Sequence, residues 1–302
     1  MGTWAQSPVA SLLEQGEATG ADAALMRTVA DRAQNAGLDD ATTADLLRPA
    51  VTLAEQDLPT TPLLNKTLEG LAKQVPANRM TPVLQQLQSH TQEAGTFVST
   101  WLEQPGAQAL AGESGPTAAD RNRLIANIAD ARQQNVPRAA VEDFLTQLPE
   151  AVDRRPVSFS EVATAVSTMP DLPGGADNPE AAQQLLSTAL NAGYDAESLR
   201  QLPTALEQAQ RGSDRPPSAI AKGATQAIAQ GTPAASVLRT LSQGGVPGGG
   251  PSGAGEGAAS PPPGQGKPPG KNGRPPGAGP PDNPGSPPSD EPPTNPPSGG
   301  GG

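Results

Sequence analysis

Apolar residues recur at helical spacing through the first 243 residues, in short runs punctuated by proline and glycine. Leu25, Val29 and Ala33 fall at fourfold spacing and predict a helix from about Ala21 that stops at Gly37. Ahead of it, Ser7-Pro8 supplies a cap and a proline at the first helical position, with Gly16 expected to close that turn. Asp40 is expected to cap a third helix and Thr61-Pro62 to open a fourth, whose Leu64, Leu68 and Leu71 share one stripe. Further starts stand at Ser158 with Glu161, a capping box, at Asn178-Pro179-Glu180, and at Thr232-Pro233. No β-branched or aromatic run alternates long enough to make a strand. The predicted fold class is therefore all-α: short helices in imperfect repeats, as a bundle or a short solenoid, with a disordered C-terminal tail.

The helical pattern repeats. Asn35-Ala36-Gly37-Leu38-Asp39 is echoed by Asn191-Ala192-Gly193-Tyr194-Asp195, and Asn135-Val136-Pro137 holds the same place between them. A proline follows each break: Pro49 and Pro149 twelve residues after Gly37 and Pro137, and Pro203 ten after Gly193. These define three copies, about 20–90, 117–170 and 178–243, each too poor in apolar residues to bury a face alone. Because an interior proline removes a hydrogen bond and crowds the preceding turn, the three prolines are expected to mark equivalent corners, each within two residues of a helix end or kink.

Composition divides the chain. From Gly244 to Gly302 lie 18 of the 36 prolines, 19 of the 34 glycines and one apolar residue larger than alanine, Val246. Such a segment cannot offset its ordering entropy by burial, so the predicted domains are a helical body, 7–243, and a disordered tail, 244–302. Its repeated Pro-x-x-Pro spacing follows from composition, and a spacer is favoured over a recognition peptide. As a coil it would average about 40 Å end to end, and as extended polyproline it would approach about 180 Å.

The net charge is −11. An acidic body without a basic stripe is expected to bind no nucleic acid. The absence of cysteine removes disulfides, thiolate metal sites and cysteine nucleophiles. No apolar run is long enough for a transmembrane segment. Arginine outnumbers lysine, which with abundant Ala and Thr suits a high-GC or salt-adapted bacterium.

The most distinctive stretch runs Leu58-Pro59, Pro62-Leu63-Leu64, Lys66, Leu68-Glu69-Gly70-Leu71-Ala72-Lys73, Val75-Pro76. Lys66, Glu69 and Lys73 stand three and four apart, a spacing for ion pairs along one helix face. This stretch resembles an uncharacterised group of exported bacterial helical-repeat proteins with a Leu-Pro, Lys, Glu-Gly-Leu-Ala-Lys, Val-Pro signature. The resemblance covers residues 20 to 90; the third copy, with Lys222-Gly223 and Gln226-Ala227, departs from most of the signature. It implies a helical fold and export, and brings no activity with it.

Reactive chemistry is sparse. His90, the single histidine, has only Glu93 as a neighbour of metal-ligand type. Gly112-Glu113-Ser114-Gly115 falls one residue short of a nucleophile elbow, and the glycines of 253–257 lack the strand and helix of a phosphate loop. Asp39-Asp40 sits where a helix dipole explains it. Phe97 and Trp101, four apart and flanked by Val98 and Leu102, are expected to pair as a core contact between the first and middle copies, with an exposed docking patch as the alternative.

These features predict no enzyme, no cofactor and no metal site. The expected function is a noncatalytic interaction or structural module with a flexible spacer. The alternatives are a cytosolic adaptor binding through its Pro-rich tail and a hydrolase using carboxylates. Lys66, Glu69, Lys73, Phe97 and Trp101 are the candidate interaction residues, and the expected partner is a protein or an envelope component. Met1 to Ser11 lacks a basic and an apolar signal region, which taken literally is cytoplasmic. Yet Trp4-Ala5-Gln6-Ser7-Pro8 has the character of a sequence following a signal peptide, so a periplasmic or extracellular location is favoured. An in-frame signal sequence upstream of Met1 is the expected finding.

Overall fold

The structure, a computed structural model, describes residues 7–111, 115–151, 157–173 and 178–247. These belong to one compact unit, Met1–Ser252. The described residues form helices and no strands: α1 (Pro8–Ala18), α2 (Ala23–Asn35), α3 (Asp40–Ala54), α4 (Thr61–Ala72), α5 (Ala77–Leu102), α6 (Pro105–Ala111), α7 (Ala118–Gln133), α8 (Arg138–Ala151), α9 (Phe159–Thr168), α10 (Pro179–Asn191), α11 (Ala196–Arg211), α12 (Pro217–Ala229) and α13 (Ala234–Ser242). The predicted all-α class holds. The tail beyond Pro247, the Ser114 loop and the glycines of 253–257 lie outside the described residues, as does Trp4.

The helices stack in two rows. Each odd-numbered helix packs on the next odd one, from α1 through α13, while in the even row α2 packs on α4, and α6, α8, α10 and α12 pack in succession. Packing on second neighbours is the connectivity of a helical-repeat stack rather than a closed bundle. One continuous apolar cluster runs from Val9 to Leu241. Side-chain amides tie neighbours within a row: Asn127 Nδ2 donates to the Ala163 carbonyl at 2.7 Å and Gln183 Nε2 to the Ala140 carbonyl at 2.6 Å.

One turn recurs at the helix ends. Gly20, Gly37, Asp57, Gln74, Asn135, Gly193, Gly231 and Gly244 all have φ between 55° and 90°. At each, the next residue's N–H returns to the carbonyl five residues back, as in Leu38 to Ala33, Val136 to Ala131 and Tyr194 to Ala189, all 3.0 Å. This is the Schellman closure, which satisfies the last carbonyls of a helix. The three breaks matched in the sequence are thus the same turn. Their place in the stack differs, since Gly37 and Gly193 lead from even row to odd and Asn135 leads from odd to even. The repeated sequence specifies a helix-turn-helix unit and leaves its row unspecified.

At Asp57, Gln74 and Asn135 a side chain occupies the left-handed region, which costs about 1–2 kcal/mol relative to glycine. Gln74→Gly should therefore raise stability by about 1 kcal/mol, and Gly37→Ala should lower it by a similar amount, both read from denaturant midpoints.

Several expected boundaries are corrected. Gly16 lies inside α1 rather than closing it, because α1 continues to Ala18; an added Cβ at 16 would meet Met26 Sδ at 2.5 Å, so glycine there lets α2 approach. The third helix is capped by Asp39, whose side chain accepts from the Thr42 N–H at 2.7 Å, and Asp40 becomes its first residue. Thr232 closes α12, leaving Pro233 as the residue before α13. The Ser158–Glu161 capping box forms as predicted.

The three prolines do not all stand at helix ends. Pro49 and Pro203 lie well inside α3 and α11, and only Pro149 stands within two residues of a helix end. Apolar residues on both sides of Pro49 and Pro203 are buried, Leu46 and Leu47 before Pro49 and Ala50, Val51 and Leu53 after it, Leu202 before Pro203 and Ala205 and Leu206 after it, and that burial outweighs one missing backbone bond.

The tail boundary also moves. Gly244 approaches Gly212 backbone to backbone, and Val246 packs over Gly223 and the core. The one large apolar residue of the Pro/Gly segment thus fastens its first residues to the body.

Candidate functional site

The five candidate residues separate into two places. Phe97 and Trp101 lie in the C-terminal half of α5, and Lys66, Glu69 and Lys73 lie on α4.

Trp101 is fully buried, and Phe97 is half-buried against the core. The expected Phe97–Trp101 ring pair is replaced by Trp101 with Phe159 of α9, ring centres 5.7 Å apart and tilted by 50°. Trp101 Nε1 donates to the Leu145 carbonyl of α8 at 3.0 Å. Four residues after Leu145 stands Pro149, which has no N–H to give that carbonyl its helical partner. Trp101 satisfies the acceptor that the proline orphans. Gly106 of α6 completes the contact, since a Cβ there would lie 2.7 Å from Pro149 Cβ.

On α4, Glu69 accepts from Lys66 Nζ at 2.9 Å and from Lys73 Nζ at 2.5 Å, all three side chains being substantially exposed. Lys73 first, then Lys66, pulls the Glu69 carboxyl down to about 2 from its ordinary 4.5. A lowered carboxylate stabilises the fold above its unfolded pKa and loses that contribution as pH falls through the folded one. The triad should therefore persist at pH 4 and break only near pH 2, followed by the Glu69 side-chain carboxyl resonance in NMR; a midpoint near 4.5 would show that the lysines do not hold it.

The same three residues rim a groove of about 250 Å³ between α4 and the start of α5. Its apolar surface comes from Gly70, Val75, Met80, Val83 and Leu84, with Arg79 at the far rim. Met80 crosses over Gly70, where a Cβ would collide with its sulfur, so the glycine of the Glu-Gly-Leu-Ala-Lys stretch lets α5 lie on α4. Val83, 38% exposed, is the exposed large hydrophobic side chain among the described residues.

The groove lies on α4, the helix at which the even row is interrupted. α4 and α6 do not pack together, although even-row helices pack in sequence on either side. α5 has 26 residues, about 39 Å, and serves both flanks. Its first half covers α4, while its second half meets the C-terminal end of α7 through Glu93 and Arg132 and the N-terminal end of α9 through Trp101 and Phe159. No lining residue of the groove comes from beyond Leu84.

Arg79, Met80 and Val83 were not singled out in the sequence. Their signal was present as Met80, Val83, Leu84 and Leu87 at helical spacing with Arg79 four before Val83, but which side of α5 lacked a neighbour depended on the interruption in the row. A larger groove of about 610 Å³ lies between α8 and α10, lined by Asp143, Gln147, Glu180, Gln183 and Gln184 among others. Its lining is mixed, with Pro137, Phe144 and Leu148 beside these polar side chains, and its flanking helices already pack on each other.

His90, half-buried on α5, is held below its ordinary pKa by burial and by Arg132, against the opposing pull of Glu93. Among the described residues, no group of three or more His, Asp or Glu side chains is placed to hold a metal ion, and no helix is long and apolar enough to cross a membrane. No family model, no curated protein and no solved structure matches this chain.

Proposed function

We propose that the helical body is a noncatalytic interaction scaffold that engages a macromolecular partner through exposed faces of its stacked helices, with the Pro/Gly segment as a spacer. The observation that carries this proposal is the α4/α5 groove, where an exposed valine stands on an apolar floor rimmed by Lys66, Lys73 and Arg79 on a chain of net charge −11. Solvent-exposed apolar surface with a polar rim is the composition of a docking site. The acid within that rim, Glu69, is clamped between two lysines and held far from neutral pKa, which suits an ion pair and not proton transfer. The likeness of the α4 stretch to exported helical-repeat proteins supports an envelope component as the partner.

The test compares affinity capture by the full chain with capture by a chain ending at Pro247. Retention of the same partners by the shorter chain is the expected result. Loss of all of them would transfer binding to the Pro-rich tail, and turnover of a substrate abolished by one carboxylate substitution would replace the scaffold with a hydrolase.

A further inference from the structure

We infer that the interruption between α4 and α6 is a receptor for one helix of a partner protein, amphipathic and acidic, lying along α4 over Val83. The inference rests on the scaffold function proposed above and names the partner's chemistry. Three observations converge on it.

The first is the geometry of the row. Among the described residues α2 and α4 pack together, as do α6 and α8, but α4 and α6 do not pack on each other as the other even-row neighbours do. The element absent from that position is a helix. α6 cannot supply it, because its 7 residues follow the end of α5 and pack on α8. Lys66, Gly70 and Lys73 stand four and three apart, forming a ridge parallel to the α4 axis with an apolar channel beside it. From Lys66 to Lys73 this channel runs about 11 Å, room for about two helical turns.

The second is charge. The rim carries Lys66, Lys73 and Arg79 against the single acid Glu69, on a chain whose other charges leave it strongly acidic. An acidic occupant is attracted here and repelled elsewhere on the body, which fixes its register as well as its affinity. Arg79 is exposed and makes no ion pair among the described residues.

The third is the start of α5. Its cap position is Pro76, without a side-chain cap, and its first turn holds no acid but the cation Arg79. A cation is unfavourable in the first turn of a helix, and a carboxylate from outside would relieve it while meeting the free N–H groups there.

The probe is a fluorescent peptide of about sixteen residues with leucines at i and i+4 flanked by glutamates, compared with a twin carrying lysine for every glutamate. Binding to the full chain is read by anisotropy, and a photoreactive group on the leucine face reports the site. The acidic peptide should bind at least about tenfold tighter than its twin and weaken as salt rises from about 0.1 M to about 1 M, which shortens the screening length from about 10 to about 3 Å. Its cross-links should fall within residues 66–84. The double variant Arg79→Glu, Val83→Ser changes two exposed side chains, so its thermal unfolding should match the parent while affinity for the acidic peptide falls about tenfold or more. Equal binding of the twins, or affinity untouched by the double variant, overturns the inference. Cross-links at another groove would also overturn it while leaving the scaffold function standing, whereas binding of neither peptide to any face counts against both. A concentration-dependent dimer lost with Val83→Ser would make a second copy of the chain the occupant, and likewise overturns it.

Discussion

Trp101→Ala is expected to lower the unfolding free energy by about 3–5 kcal/mol, the range for removing a buried aromatic residue from a packed core. The side chain is fully enclosed and joins α5 to both α8 and α9, so its loss leaves a cavity at the junction of the two flanks of the stack. The hydrogen bond can be separated from the packing. Trp101→Phe keeps most of the apolar volume but leaves the Leu145 carbonyl without a donor, at a cost of about 1–3 kcal/mol. Pro149→Ala restores a backbone N–H four residues after Leu145. If Trp101 substitutes for the N–H that Pro149 lacks, the two changes are coupled. Trp101→Phe should then cost about 1 kcal/mol less in the Pro149→Ala background than in the parent, measured as a double-mutant cycle by urea denaturation. Strict additivity would mean that the indole bond is incidental to the proline.

The second large effect is expected at Gly212. A Cβ there would lie 2.6 Å from Gly244 Cα, an atom of the backbone that cannot rotate aside. Gly212→Ala must push the end of α13 away from α11 and should destabilise by about 1–3 kcal/mol, with early loss of protection in α13 by hydrogen exchange. Gly70→Ala is the informative contrast. Its obstacle is the flexible end of Met80, which can swing away, so a cost comparable to that of Gly212→Ala would contradict the distinction between backbone and side-chain contacts.

What could be read from the sequence was local. The helix breaks at Gly37, Asn135 and Gly193, the capping box at Ser158 and the α4 ion triad are each set by residues within seven positions of one another, and each is legible. The prolines misled because helix termination was judged from the proline alone. Burial on both sides of Pro49 keeps α3 continuous, and that burial depends on neighbours distant in sequence. Trp101 reads as core from the sequence, but its ring partner is Phe159, brought in by the stacking of α9, and not Phe97 four residues away in the chain. The α4/α5 groove was half legible. Its charged ridge has helical spacing, but its apolar floor lies on a helix at which the even row is interrupted, and no local pattern encodes such an interruption.

Hydrogen exchange on the full chain, with and without the acidic helical peptide, tests the central claim most directly. A scaffold that receives a helix between α4 and α6 predicts slowed exchange confined to the end of α4 and the first half of α5, residues 66–84, and unchanged exchange in α8, α10 and α12. Protection spread over the α8/α10 groove, or absent from 66–84 at saturating peptide, would contradict it.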